Sequence, residues 1–151
     1  MRDQAEKPRT GGCLCGSVQF VAAKTGALGI CHCRMCQRWA GGPFIAVTVE
    51  ASDMAIVGAD YVGTYESSSW ATRSHCTKCG SVLWYRFDPK RDGGGSYEVP
   101  IGLLNDQAGL ELQREIYIDR KPAAFAFDGA HQRLTAAETE ALYRGVNNAP
   151  L

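Results

Sequence analysis

Seven cysteines stand in three tight clusters, Cys13-Leu-Cys15, Cys31-His-Cys33-Arg-Met-Cys36 and Cys76-Thr-Lys-Cys79. Thiolates bind zinc or iron tightly, and a one- or two-residue spacing lets both sulfurs of a pair reach one ion, so the layout points to metal chemistry. Two pairs complete a four-sulfur site. The middle hexapeptide supplies only three ligands and leaves a coordination position for water or substrate, which is the usual division between a structural and a working metal.

Cys76-x-x-Cys79-Gly80-Ser81 resembles a zinc knuckle, with the glycine letting the backbone turn so that N–H groups point at the sulfurs, and Cys13-x-Cys15-Gly16-Ser17 has the same ending. These four residues are paired on one zinc that staples an N-terminal hairpin to a strand far along the chain. Cys31, Cys33 and Cys36 are then the candidate active site. Three thiolates make zinc a weaker Lewis acid toward water than three histidines would, yet suit it to binding and deprotonating an incoming thiol. Cys36, placed at the start of a helical turn, is expected to gain from exposed N–H groups.

The alternatives are buried unligated thiols, or a second structural site closed by a histidine. His32 lies between two cysteines, and in an extended segment its side chain points away from both. His75 is the better fourth ligand; His131 lies far downstream. Arg34 and Arg38 stand four apart on the helix expected there and suit a carboxylate-bearing substrate, or are solvated surface arginines.

The elements that must position these residues read as short strands and turns, a mostly β, single zinc-stapled domain of antiparallel strands. Residues 11–145 form the domain, between a flexible tail over 1–10 and another over 146–151. Ser17–Ala22 alternates as a half-buried strand, and similar patterns fit Phe44–Glu50, Ala55–Val57, Tyr61–Glu66, Trp70–His75, Val82–Phe87, Tyr97–Leu103 and Leu112–Ile118. Lys90–Ser96 is a glycine-rich hairpin loop. A short helix over Arg34–Ala40 is stopped by Gly41-Gly42-Pro43. Thr135-Ala-Ala-Glu138 is a capping box that opens a second helix, with Leu142 and Tyr143 as its packing side chains and Gly145 where a C-terminal cap belongs.

At 151 residues the chain suits one domain. Lys plus Arg equals Asp plus Glu at 16 each, and thiolates on two zinc ions would make the protein mildly acidic, which argues against a nucleic-acid partner. No apolar stretch is long enough for a membrane helix, and the charged start lacks a signal-peptide core. An odd cysteine count argues against a disulfide framework and for a reducing compartment, the cytoplasm being the expected one.

The order Gly12-Cys-x-Cys-Gly-Ser17, Cys31-His-Cys-x-x-Cys-x-Arg-x-x-Gly41 with Pro43-Phe44, Tyr65-x-Ser67-Ser68, Arg73 and Cys76-x-x-Cys-Gly-Ser81-x-Leu83 resembles the glutathione-dependent formaldehyde-activating (Gfa) family over about Gly11 to Asp128. The resemblance implies the Gfa-like fold, a structural zinc on Cys13, Cys15, Cys76 and Cys79, and a catalytic zinc on Cys31, Cys33 and Cys36. The implied partners are glutathione and formaldehyde, joined in what is formally a carbon–sulfur lyase reaction read backwards. The chain departs from the family pattern at His75, at Leu104-Asn-Asp-Gln107, at Glu115 in place of a histidine and at Phe125 in place of a tryptophan. Those departures spare the cysteines but bear on the substrate. Two other classes stay open: a non-catalytic zinc-stabilised binding module, and a thiol or aldehyde sensor with poised cysteines.

Overall fold

The architecture is a computed structural model describing residues 7–88 and 95–147. Most of the expected Lys90–Ser96 loop and parts of both expected tails lie outside these residues. The protein is mostly β, with eleven described strands and two helices. No described helix is long and apolar enough to cross a membrane. The chain divides into two compact units, Met1–Gly26 with Ala46–Leu110, and Ala27–Ile45 with Glu111–Leu151.

In the first unit, β1 (Arg9–Gly12), β2 (Gln19–Ala22) and β5 (Met54–Val57) form one antiparallel sheet. A second antiparallel run joins Ala46–Val49 of β4 (Phe44–Val49) to β9 (Tyr97–Pro100), then β8 (Val82–Phe87), β7 (Ala71–Cys76) and β6 (Val62–Glu66). The alternation read in β2 holds: Phe20 and Ala22 are buried, as is Val18 just before the strand, while Val21 faces out. Phe20 packs its ring edge-on against Trp84 of β8 at 6.0 Å between centroids, and Trp84 meets Tyr97 in the same way at 5.7 Å. With Val47, Val49, Leu83 and Val99 these residues form the unit's core.

β1 begins at Arg9, inside the stretch expected to be a tail, because the Arg9 guanidinium is buried and donates to the carbonyls of Asp106 and Ala108 at 2.8 and 2.9 Å. Two motif residues also meet here. Arg73 donates to Ser67 Oγ at 2.6 Å and lies over the Tyr85 ring.

The second unit holds β3 (Leu28–Cys31), α1 (Arg34–Ala40), β10 (Leu112–Ile116), β11 (Gln132–Arg133) and α2 (Ala136–Asn147). Here the expectation of antiparallel strands fails locally, since β10 runs parallel to both β3 and β11. Helix α1 has the expected bounds. It stops at Gly41, whose φ of 81° lets its N–H close back on the Gln37 carbonyl at 2.9 Å.

The capping box is present. Glu138 N–H donates to Thr135 Oγ1 at 3.2 Å and Thr135 N–H to Glu138 Oε1 at 3.1 Å. The face that packs differs from expectation: Leu142 is exposed, whereas Ala136 and Thr139 are buried, and Thr139 Oγ1 accepts from the Tyr117 N–H at 3.3 Å. The helix also continues past Gly145 to Asn147.

Candidate metal centres

The first unit brings Cys13, Cys15, Cys76 and Cys79 together, with all four sulfurs within 4.8 Å of one another. Cys15 Sγ lies 3.6 Å from Cys13 Sγ and 3.8 Å from Cys76 Sγ. Four sulfurs placed tetrahedrally at zinc–sulfur bond length would stand about 3.8 Å apart, so the quartet has the dimensions of a metal cage without rearrangement. No two of the seven cysteines are disulfide-bonded.

Two glycine turns build this cage. Gly16 and Gly80 adopt φ values of 80° and 77°, a region open to glycine at little cost. Each turn is closed by backbone bonds, Gly16 N–H to the Cys13 carbonyl at 3.2 Å and Gly80 N–H to the Cys76 carbonyl at 2.9 Å. N–H groups then point at sulfur, from Val18 to Cys13 at 3.3 Å and from Cys79 to Cys76 at 3.5 Å. Hydrogen bonds from the Ser81 hydroxyl and backbone bring the Cys79 thiol down to about 5, so this sulfur is a ready thiolate ligand.

In the second unit, Cys31, Cys33 and Cys36 also converge with sulfurs within 4.8 Å. Among the described residues no fourth His, Cys, Asp or Glu ligand atom joins them. Cys31 ends β3, Cys33 is the N-cap of α1, and Cys36 sits buried in its first turn. The helix N–H expected to favour Cys36 is used differently: Cys36 donates its own N–H to Cys33 Sγ at 3.3 Å, so the capped sulfur is Cys33. The Cys31 thiol is pushed well up by hydrogen bonds shared with Cys33 and Cys36, then by burial and by the negative charge of those two sulfurs. Three sulfurs this close cannot all ionise unaided, and a divalent cation is the partner such a donor set fits.

The histidines separate clearly. His75 is exposed and its ring lies over Gly63, in neither cluster. His32 is fully buried and turned to Glu115, its Nε2 2.7 Å from Oε1, while His131 Nε2 lies 2.6 Å from Oε2 of the same carboxylate. Arg34 and Arg38 are both exposed on α1, and Arg34 donates to Gln37 Oε1 at 2.6 Å.

Sequence reasoning missed Gln37, which donates from Nε2 to the carbonyls of His32 at 2.6 Å and Arg120 at 3.1 Å. It also missed Tyr117, the one described non-glycine residue with positive φ, at 56°. Burial raises the Tyr117 phenol, as does negative charge on Glu140, Cys31 and Cys33, so it stays protonated beside the trio.

The chain is 28% identical over 129 residues to an uncharacterized lyase of Schizosaccharomyces pombe, a match that covers 85% of this chain and 91% of that one. It is 32% identical over 89 residues to a candidate glutathione-dependent formaldehyde-activating enzyme of Halomonas elongata, covering 53% and 56% of the two chains. A solved Rhodobacter sphaeroides protein superposes with a TM-score of 0.52 at 25% identity, over 64% of this chain and 87% of that one. The family model described as "Glutathione-dependent formaldehyde-activating enzyme" matches residues 8–120, a span that takes in all seven cysteines, and the chain belongs to that family.

Proposed function

We propose that the protein is a two-zinc carbon–sulfur lyase that activates a thiol, glutathione or a relative, for addition to formaldehyde or a related small aldehyde. The observation that carries this reading is the asymmetry of the two cysteine clusters, four sulfurs in one cage and three in the other. Cys13, Cys15, Cys76 and Cys79 are assigned to structural zinc, and Cys31, Cys33 and Cys36 to zinc with an open position. Held by the trio, zinc would supply a positive fourth position at which an incoming thiol becomes more acidic.

The chain's own part is to hold and to exclude. Cys31, Cys33 and Cys36 act as ligands and not as nucleophiles, and the Cys36 N–H on Cys33 Sγ draws off part of the trio's negative charge. Arg34 and Arg38, exposed four residues apart, are assigned to a carboxylate of the arriving thiol. The thiol gives its proton to solvent water, its sulfur forms a bond to the aldehyde carbon, and the carbonyl π pair moves to oxygen, which takes a proton back from water, so that no net proton is gained or lost. The family membership and the lyase-named relative support this class of reaction.

The test is zinc content per chain together with NMR exchange between free and thiol-bound formaldehyde in the presence of glutathione. Two zinc ions and accelerated exchange, abolished in Cys33→Ser, are expected. Two zinc ions with no acceleration by any of several thiols would contradict the formaldehyde assignment and favour a binding module or sensor.

A further inference from the structure

At the middle of the second unit lies a carboxylate that no step above uses. Glu115 is 1% exposed, an unusual place for a charge, and both its oxygens are taken: Oε1 by His32 Nε2 at 2.7 Å, Oε2 by His131 Nε2 at 2.6 Å, with Arg133 Nε 3.4 Å from Oε2. Burial would raise this carboxyl, but the hydrogen bonds and charge of His131 and His32 outweigh it and hold the group below its ordinary range. An ionised carboxylate can only accept, so both imidazoles donate to it from Nε2.

The clasp meets the trio through one residue. His32 stands between Cys31, which ends β3, and Cys33, which is extended, and in such a stretch a central side chain held on one side directs its neighbours to the other. Residue 32 is fixed at three points. Its N–H donates to the Ile116 carbonyl at 3.1 Å, its carbonyl accepts from Gln37 Nε2 at 2.6 Å, and its ring is held by Glu115 and lies against the Phe125–Phe127 pair, 6.2 Å from each between centroids. Only the ring contact is optional chemistry, since any residue supplies the backbone bonds. Among the described residues the ring's buried Nδ1 has no hydrogen-bond partner, so the bond to Glu115 is the ring's one polar contact there.

We propose that Glu115 is a positioning residue for the cysteine trio: by gripping His32 and His131 together it sets the backbone between Cys31 and Cys33 so that their sulfurs converge with that of Cys36. It belongs to neither cysteine cluster and acts through His32. The inference rests on the trio being a metal site, as proposed above, and not on which thiol or aldehyde it serves. A carboxylate whose loss only lowered overall stability would speed release from both metal centres and leave the spectrum of a metal held by the trio unchanged. One that positions the trio acts on that centre alone.

The two centres therefore serve as reference for each other. Wild type and Glu115→Gln, which keeps the shape but loses the charge and one acceptor, are loaded with zinc and mixed with a coloured chelator. Release from the trio should be about tenfold faster in the variant, with release from the quartet unchanged. Cobalt(II) placed in the trio should show a shifted visible spectrum. If Glu115→Gln does not fold, His131→Gln, which removes only the outer grip, is read in the same way and should speed trio release less. Unchanged trio release and an unchanged cobalt spectrum would overturn the proposal, as would equal acceleration at both centres. A wild type that carries metal on the quartet alone would overturn instead the reading on which it rests.

Discussion

The backbone N–H of Leu14 donates to Ser81 Oγ at 3.0 Å across 67 positions of sequence. That bond ties the two glycine turns of the quartet directly to each other, and the same hydroxyl lies 3.2 Å from Cys79 Sγ. Ser81→Ala should therefore lower stability by about 1 kcal/mol and speed metal release from the quartet, leaving the trio's release rate as it was. Chelator competition and thermal melting on the same samples check both halves.

Gly58 is a second support of this region. Its φ is +86°, and a Cβ there would sit 1.9 Å from the Ser17 carbonyl oxygen, next to the Cys13–Gly16 turn. Because that neighbour is backbone and cannot swing aside, Gly58→Ala should cost at least about 2 kcal/mol. Denaturant unfolding would show the loss as a lower midpoint at unchanged slope.

The core pair Phe20 and Trp84 calls for a simpler test. Phe20 is almost fully buried, and truncation removes both its apolar area and its edge-on contact. Phe20→Ala should destabilise the protein by about 3–5 kcal/mol. A similar loss is not expected for Val21→Ala, whose side chain faces outward from the same strand.

Acid dependence follows from Asp106. Its carboxyl is held below the ordinary 3.8 by the Ala108 N–H on Oδ1 at 2.9 Å and by Lys7 at 3.4 Å. A depressed carboxyl adds stability above its unfolded value and loses it as pH falls through its lower folded value. The stability difference between wild type and Asp106→Asn should thus be full above about pH 4 and vanish in stronger acid, as measured by melting temperature against pH.

Much of this site could be read from spacing alone, since ligand pairs at one- and two-residue separation, the glycines behind them and the Thr135–Glu138 box are local features. What escaped was set by pairing between distant segments. β3 is four residues long and contains a glycine, so its local pattern gave no strand signal, and its parallel register with β10, Ile116 opposite Cys31, is set by distant residues. Arg9 gave no sign that it would be buried, because its acceptors are carbonyls 97 and 99 positions away. Glu115 stood out only as a departure from a family pattern; its two histidine partners lie 83 and 16 residues away, and no local periodicity links them. Cys33, rather than Cys36, receives the helix N–H because the cap precedes the first helical residue.

In the function proposed above, the two cysteine clusters hold separate metals with separate tasks, and zinc content and melting temperature of Cys33→Ser beside Cys76→Ser separate them. Cys33→Ser should stay folded with one zinc and a melting temperature near that of wild type, while Cys76→Ser should lose the quartet metal and melt far lower. If Cys33→Ser released both ions and unfolded, or if fully loaded wild type held a single zinc, the division between a fold-holding centre and an open one would be contradicted.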